Sequence, residues 1–316
     1  MERYLAFSLV EVTEAAALEA AKFLGRGDKI AADQAAVDAM RNVFNSLDID
    51  GTVVIGEGEL DEAPMLYIGE RVGLRKPDSI ELDIAVDPVE ATTSLSLGLN
   101  NSIAVVAVAP RGCLLNAPDM YMSKIAVGPK AKGAINLDLS VKENLINVAK
   151  ALNKDIRELT VATQYRERHE YIVQACREVG AKMKLFDNND LQAAIATCFD
   201  NAIADIFLGI GGAPEGVIAA AAIKSLGGDF QARLLPSDEE EKLRCYKMGV
   251  DYNELYSLDD LVKGEESYFA ATGISNGDML RGVIYKDNNT AITHSMIISN
   301  KKGMIRFVES VHRLDR

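Results

Sequence analysis

The stretch Ile80-Glu-Leu-Asp-Ile-Ala-Val-Asp-Pro-Val-Glu-Ala-Thr-Thr-Ser94 decides the fold prediction for this chain. Large apolar side chains alternate with polar or small ones from Ile80 to Asp87, which is the pattern of a half-buried β-strand. Pro88 has no backbone N–H to donate to a neighbouring strand, so we expect the strand to end there. The carboxylate of Asp87 is then presented at a strand end, and Glu90 follows three residues later.

The oxygen-rich end of this stretch has two interpretations. The carboxylates of Asp87 and Glu90 and the hydroxyls of Thr92 and Thr93 are the kind of ligand that Mg²⁺ and Mn²⁺ prefer. The alternative is a polar turn that caps a helix. The stretch alone favours neither interpretation.

Composition limits the class of protein. A chain of 316 residues, 48% hydrophobic and 26% charged, is typical of a soluble protein with two domains. Apolar runs of about 18 residues and a signal peptide are both missing, so we expect no membrane partner and a cytoplasmic location. The 4 cysteines form no C-x-x-C pair, which favours reduced thiols. A net charge of −13 argues against nucleic acid as a partner.

The chain changes character between residues 128 and 140. Before it, the turn Pro110-Arg111-Gly112 indicates antiparallel neighbours. After it, strand-like and helical segments alternate, which is typical of βαβ units with parallel strands. We therefore predict a metal-binding α+β domain over 1–134 and an α/β domain over 135–316.

Carboxylates recur where predicted strands end. Glu57 follows one strand, Asp87 ends another, and Glu215 follows the glycine-rich turn 209–212, while Asp33 lies on the apolar face of a helix. Each has an ordinary interpretation as a solvated or salt-bridged group. Like charges gathered in one place repel unless a cation or a proton compensates them, so the repetition favours a metal site.

Five motifs together resemble the class II fructose-1,6-bisphosphatases, and the resemblance covers nearly the whole chain. The motifs are Gly25-Arg-Gly-Asp-Lys29, the run from Gly56 to Gly69, Asp87-Pro-Val-Glu90, Asn116-Ala-Pro-Asp-Met-Tyr121 and the run from Gly209 to Gly216. The resemblance implies the lithium-sensitive sugar-phosphatase fold. This is a layered two-domain α/β architecture (α-β-α-β-α) with a largely antiparallel sheet in the first domain, βαβ units in the second, and a metal site between them.

The resemblance also assigns roles to residues. The implied metal ligands are Asp33, Glu57, Asp87, Glu90 and Glu215. Asp61 would assist the attacking water, Thr92 would lie beside the scissile phosphate, and Lys29 would help to neutralise it. The implied substrate-binding residues are Glu90, Ala91, Thr92, Tyr121, Arg166, Glu167, Arg168, Asn188, Asn189, Asp190 and Gly212. The cofactor would be Mn²⁺ or Mg²⁺, two ions per site, and the partners a sugar bisphosphate and further copies of the chain in a dimer or tetramer.

Two positions depart from the family pattern. The family usually has Gly where this chain has Ala91, so an added methyl would crowd the phosphate loop if the backbone there needs φ > 0. Its usual Asp-Gly-Asp is Asn188-Asn189-Asp190 here. Neither departure removes a predicted metal ligand.

The predicted reaction is metal-dependent removal of the 1-phosphate of fructose 1,6-bisphosphate, a step of gluconeogenesis. Two cations about 3.5–4 Å apart can activate water and stabilise the leaving oxygen in such a hydrolysis. The alternatives are a phosphatase for sedoheptulose 1,7-bisphosphate or inositol phosphates, and a non-catalytic sugar-phosphate sensor.

Overall fold

The computed structural model describes residues 2–58, 65–200, 202–287, 289–300 and 303–314. The α-helices are α1 (Glu2–Ala21), α2 (Lys29–Ser46), α3 (Thr92–Ser96), α4 (Val141–Leu152), α5 (Glu170–Val179), α6 (Asp190–Ala196), α7 (Ala213–Ser225), α8 (Glu239–Met248) and α9 (Leu258–Leu261). The strands are β1 (Ile49–Ile55), β2 (Arg71–Val72), β3 (Ile80–Glu90), β4 (Ile103–Pro110), β5 (Tyr121–Val127), β6 (Thr160–Gln164), β7 (Lys182–Phe186), β8 (Ile206–Gly212), β9 (Asp229–Leu234), β10 (Tyr256–Ser257), β11 (Tyr268–Gly273), β12 (Ile284–Lys286), β13 (Thr290–Ser299) and β14 (Met304–Arg313).

The chain divides into two compact units. The first unit contains Met1–Leu114 and Glu265–Arg316, and the second contains Leu115–Gly264. This division differs from the predicted border at 134/135, because β5 pairs with β8 and β9 of the second unit. The chain also returns to the first unit after Gly264, where β11 pairs with β4. Both differences depend on pairings between residues far apart in sequence.

The first unit has a largely antiparallel sheet with the strand order β12-β13-β11-β4-β3-β1-β2, and β14 pairs with β13. Parallel pairing joins β1 to β3. The apolar face predicted for β3 is confirmed, since Leu82, Ile84 and Val86 enter one hydrophobic core. The strand is not half-buried as predicted, because Asp83 and Ala85 on its other face are buried as well. That core also takes Val37 and Phe44 of α2, together with the buried side of α1. Burial of this apolar stripe is the main reason why α2 folds onto the sheet.

The prediction that the strand ends at Pro88 is wrong, because β3 continues to Glu90. Its register against β4 shifts between Asp87, which pairs with Val105, and Glu90, which pairs with Ile103. Three steps along β3 therefore oppose two steps along β4, which is a β-bulge. A bulge leaves one residue outside the ladder, so it accommodates a proline that cannot donate a hydrogen bond.

The second unit has a mixed sheet with the order β10-β9-β5-β8-β6-β7. Parallel pairing of β6 with β7 and β8 confirms the predicted βαβ units. Ile125 and Val127 of β5 share a core with residues of α4 and α5. The alternate residues Met122 and Lys124 lie under α7, where Gly216 approaches both side chains closely. Helices therefore cover both faces of this sheet.

Among the described residues, none of the helices has the length and apolar character needed to cross a membrane.

Candidate metal centre

Four of the predicted metal ligands lie in the first unit, on three elements. Asp33 lies in the second turn of α2, Glu57 follows β1, and Asp87 and Glu90 flank the bulge of β3. Parallel strands β1 and β3 are neighbours, with Ile55 opposite Ala85. Because the carboxyl ends of adjacent parallel strands meet at one edge, Glu57 and Asp87 are delivered to the same place.

The carboxylates lie close enough to interact with one another. Glu57 shares a hydrogen bond with Asp33 and feels the charges of both Asp33 and Asp87. Asp87 and Glu90 have carboxylate oxygens within 4.8 Å of each other. Asp87 also accepts a hydrogen bond from the backbone N–H of Val89 at 3.0 Å, which orients its carboxylate at the bulge.

Burial and like charge both oppose ionisation here. Burial, with added contributions from Asp33 and Asp87, raises the pKa of Glu57 to about 9. Burial raises the pKa of Asp87 to about 6, against the opposing effect of its hydrogen bond to Glu90. The pKa of Asp33 is also raised by burial. At neutral pH this cluster therefore needs protons or a cation, and its oxygen-only donors fit a hard divalent ion.

Lys29 begins α2, which carries Asp33, and Thr92 begins α3 shortly after Glu90. The side chains of both residues make hydrogen bonds near the start of α3. Lys29 Nζ donates to Thr93 Oγ1 at 2.8 Å, and its side chain is exposed. Thr92 Oγ1 donates to the carbonyl of Val89 at 2.8 Å, so this hydroxyl reaches back to the bulge between Asp87 and Glu90. Asp61, the predicted assistant of the attacking water, lies outside the described residues.

Ala91 has left-handed backbone geometry, with φ 65° and ψ 48°. An L-residue with a Cβ loses roughly 1–2 kcal/mol in this region, whereas glycine does not. The sequence predicted that the Ala91 methyl would crowd the phosphate loop if the backbone there has φ > 0. The structure meets this condition.

We expect Ala91→Gly to raise the free energy of unfolding by roughly 1 kcal/mol, because relief of this strain exceeds the added freedom of the unfolded glycine chain. Chemical denaturation measures the change. Asn189→Gly is the matched control: Asn189 has φ 70° and its side chain accepts a hydrogen bond from Gln192 N, so glycine there should not stabilise. Lower stability in Ala91→Gly would contradict the strain argument.

The remaining predicted ligand, Glu215, belongs to the second unit, in the first turn of α7. A Cβ on Gly212 would clash with the Glu215 carboxylate. A Cβ on Gly211 would clash with the Asp190 carboxylate. Because Gly211 and Gly212 have no side chains, two carboxylates can lie against the backbone of this turn.

Aromatic and cationic residues predicted to bind substrate are brought together in the second unit. Tyr121 begins β5 and is 52% exposed, and the guanidinium of Arg168 lies 4.9 Å from its ring centroid. Arg168 also donates to the carbonyl of Ile210 at 3.1 Å and to Gln164 at 3.0 Å. These two acceptors are neutral oxygens, so the hydrogen bonds to them do not neutralise the charge of Arg168. The adjacent Glu167 is exposed.

Arg166 approaches the turn that contains Asn188 to Asp190. Its guanidinium donates to Asp187 O at 2.6 Å and to Asn188 Oδ1 at 3.2 Å. Asn189 caps α6, and Asp190 forms an ion pair with Lys124 at 2.6 Å. Asn189 and Asp190 are buried and have intramolecular partners, whereas Arg166 is exposed.

Two residues near this turn were not predicted to act in the site. His169 is buried, and its Nε2 accepts a hydrogen bond from the backbone N–H of Ile210 at 2.8 Å. Burial lowers the pKa of His169, which suits a neutral ring that accepts at Nε2. Lys124 was missed altogether. Its signal was a lysine at an interior position of a strand, with the apolar residues Met122 and Ala126 two positions away on the same face, where an unpaired cation is disfavoured.

Comparison with known proteins identifies the class of enzyme to which this chain belongs. The family model described as bacterial fructose-1,6-bisphosphatase, glpX-encoded, matches residues 3–312. The chain belongs to this family of phosphoric monoester hydrolases. This confirms the resemblance drawn from the motifs.

Individual relatives match over their full length. The chain is 46% identical to fructose-1,6-bisphosphatase 1 class 2 of Escherichia coli, covering 100% of this chain and 97% of the relative. It is 45% identical to fructose-1,6-bisphosphatase class 2 of Haemophilus influenzae, covering 100% and 98%. It is 41% identical to the D-fructose 1,6-bisphosphatase class 2/sedoheptulose 1,7-bisphosphatase of a Synechococcus species, covering 100% and 97%. Among solved structures, the extragenic suppressor protein suhB of Bartonella henselae aligns with a TM-score of 0.35 at 15% identity, over 61% of this chain and 72% of that one.

Proposed function

We propose that this chain hydrolyses the 1-phosphate of D-fructose 1,6-bisphosphate to give fructose 6-phosphate and phosphate. The observation that carries the proposal is the acidic cluster at the β1 and β3 strand ends, where burial and mutual repulsion raise the pKa of Glu57 to about 9. Such a cluster is costly by itself and suits a protein that binds divalent cations. Its association with a family of sugar bisphosphatases gives the substrate class.

The residues proposed to hold the cations are Asp33, Glu57, Asp87, Glu90 and, on the sequence pattern alone, Glu215. Two ions of Mn²⁺ or Mg²⁺ would supply positive charge for the phosphoryl oxygens and lower the pKa of water. The chain's own groups then orient the substrate. Homo-oligomer formation, as a dimer or tetramer, stays a prediction.

Lys29 and Thr92 are proposed to act on the scissile phosphate. Thr93 Oγ1 holds the exposed ammonium of Lys29 at the start of α3, where it can compensate negative charge. Thr92 Oγ1 donates to Val89 O, which fixes its position at the bulge and leaves its lone pairs for a proton of the attacking water or for a cation beside the phosphate. Asp61 is proposed from the sequence to accept a proton from the attacking water.

Tyr121, Arg166 and Arg168 are proposed to bind the sugar and the distal phosphate. Arginine presents several N–H donors in one plane, and these suit phosphate oxygens. Arg166 and Arg168 donate to carbonyl and amide oxygens, which fixes the two side chains without neutralising them. The remaining predicted substrate residues are Glu90, Ala91, Glu167, Asn188, Asn189, Asp190 and Gly212.

Sedoheptulose 1,7-bisphosphate is a second candidate substrate, because the Synechococcus relative carries that activity in its name. The two bisphosphates differ in chain length and share the terminal phosphate that would be cleaved. The residues in the first unit that are proposed to act on that phosphate do not distinguish them.

The proposal is tested by phosphate release from fructose 1,6-bisphosphate, sedoheptulose 1,7-bisphosphate, fructose 1-phosphate and inositol 1-phosphate. We expect the highest kcat/KM with fructose 1,6-bisphosphate, complete loss of activity after chelation, and recovery with Mn²⁺ or Mg²⁺. Chelation acts because carboxylates cannot hold an anionic substrate without cations. Binding of the bisphosphate without phosphate release would instead indicate a sensor, and activity that survives chelation would contradict the metal assignment.

A further inference from the structure

Lys124 is a buried cation in the middle of β5 in the second unit. Its side chain is 2% exposed. Its Nζ lies 2.6 Å from Asp190 Oδ2 and donates to the carbonyl oxygen of Gly212 at 2.9 Å. Lysine is almost never fully buried unless it is paired, so this position needs both acceptors.

The two acceptors belong to different turns. Asp190 is the first residue of α6 and directly follows Asn188 and Asn189, which are predicted to bind substrate. Gly212 ends β8 and precedes the first turn of α7, which carries the predicted metal ligand Glu215. One ammonium group therefore joins the turn assigned to the sugar phosphate to the turn assigned to the metal.

The backbone at this junction is shaped around the ion pair. A Cβ added at Gly211 would clash with the Asp190 carboxylate and come within 3.0 Å of Lys124 Nζ. A side chain at this position would thus force the carboxylate or the turn to move. Because Gly212 faces Glu215 in the same way, a shift of the turn would also move the Glu215 carboxylate.

We propose that Lys124 is a positioning residue for the reaction, which fixes the turn of Asn188 to Asp190 and the start of α7 relative to each other. It does so through the Asp190 carboxylate and the Gly212 carbonyl and does not itself contact substrate. The inference rests on the proposed function. It assigns to one buried side chain a joint effect on KM for the sugar bisphosphate and on the affinity for the cation.

The test is Lys124→Met, which keeps the unbranched stem of the side chain out to Cε and removes the ammonium. Groups that orient metal ligands typically change metal affinity or activity by about 10–100-fold, so we expect both KM for fructose 1,6-bisphosphate and Kd for Mn²⁺ to rise about 10-fold. Calorimetric titration with Mn²⁺ gives Kd without turnover, and steady-state kinetics gives KM and kcat.

Lys224→Met is the matched control. Lys224, in the last turn of α7, also pairs with one carboxylate, Asp259 at 2.7 Å, and one carbonyl, Val262 at 2.6 Å. It lies in the same unit and its side chain is 11% exposed. We expect Lys224→Met to lower the Tm while KM and Kd for Mn²⁺ stay unchanged. Unchanged KM and Kd in a folded Lys124→Met would overturn the inference and leave Lys124 a structural residue.

Gly211→Ala provides a second test if Lys124→Met does not fold, because its Cβ would meet the Asp190 carboxylate and force it or the turn to move while the Lys124 ammonium is kept. It should raise the same two constants, and unchanged constants would overturn the inference. Phosphate release by the wild-type chain separates the two proposals. If the wild type releases none, the proposed function fails, while the Mn²⁺ titrations of the variants still decide the role of Lys124.

Discussion

Glu57→Gln and Asp87→Asn are each expected to lower kcat by more than about 100-fold, since loss of groups that merely orient metal ligands already costs 10–100-fold. Both residues are proposed to hold the cations directly, and each substitution replaces a carboxylate with a neutral amide of the same shape. Steady-state kinetics across a range of Mn²⁺ and Mg²⁺ concentrations measures the effect. Full turnover in either variant, with unchanged dependence on metal, would remove that residue from the ligand set.

The same variants should be more stable than the wild type when metal is absent. Burial and the charges of Asp33 and Asp87 raise the pKa of Glu57 from its usual 4.5 to about 9. Between these values the folded protein binds the Glu57 proton more tightly than the unfolded chain does, so stability falls as pH rises. Glu57→Gln removes this loss, and its metal-free Tm should fall less between pH 5 and pH 9.

Glu81→Gln provides the control for these measurements. Glu81 lies on β3 as Asp87 does, but it is exposed. Neutralising it should change neither kcat nor the slope of Tm against pH. A gain in metal-free stability confined to the cluster variants would indicate that the acidic residues are held together for binding and at a cost to the fold, as functional sites often are.

Local patterns predicted the elements that carry the acidic cluster. The alternation of β3 can be read from a few neighbouring residues, and its apolar positions Leu82, Ile84 and Val86 enter the core as that pattern predicts. The gathering of Glu57 and Asp87 was predicted from the recurrence of carboxylates at strand ends, whereas the parallel pairing of β1 with β3 that produces it became visible only in the structure.

Features that depend on distant residues were not predictable in the same way. The return of β11 to β4 joins Tyr268 to Val108, and sequence periodicity carries no information on such a pairing. The continuation of β3 past Pro88 depends on the bulge against β4. Lys124 pairs with Asp190 because α6 packs against the sheet, and sequence periodicity carries no information on that contact.

Backbone geometry explains the two departures from the family pattern differently. Ala91 and Asn189 both have positive φ, of 65° and 70°. Asparagine tolerates this region and its side chain caps α6, so Asn189 replaces glycine at little cost. Ala91 gains no such hydrogen bond from its methyl group. The strain at Ala91 therefore lies next to Glu90, at the loop proposed to meet phosphate.

Arg168→Ala is expected to raise KM for fructose 1,6-bisphosphate by about 10–100-fold, which corresponds to roughly 1.5–3 kcal/mol for a charge-assisted hydrogen bond. The proposed cations would anchor the phosphate that is cleaved, so the distal phosphate would need a positive charge of its own. The chain has 34 lysines and arginines against 47 acidic residues, so such cations are scarce. The guanidinium of Arg168 lies against the ring of Tyr121 and donates to a neutral carbonyl oxygen. The guanidinium of Arg166 also donates to a neutral carbonyl oxygen, that of Asp187.

The substrate comparison gives this prediction its specificity. Arg168→Ala and Arg166→Ala should raise KM for fructose 1,6-bisphosphate far more than KM for fructose 1-phosphate, which lacks the distal phosphate. Variants of Glu57 or Asp87 should instead lose both substrates alike. Arg168→Lys keeps the charge but loses the planar fork of donors, so it should recover part of the affinity.

Arg157→Ala is the matched control, because Arg157 is an exposed arginine of the second unit whose charge is already paired with Asp155 at 2.8 Å. Its removal should leave the ratio of the two KM values unchanged. Thermal melts of all four arginine variants would show whether loss of the Arg168 bond to Ile210 disturbs the fold. If the ratio of the two KM values stays at the wild-type value in both Arg166→Ala and Arg168→Ala, neither arginine binds the distal phosphate. The distal phosphate would then bind at another place in the protein.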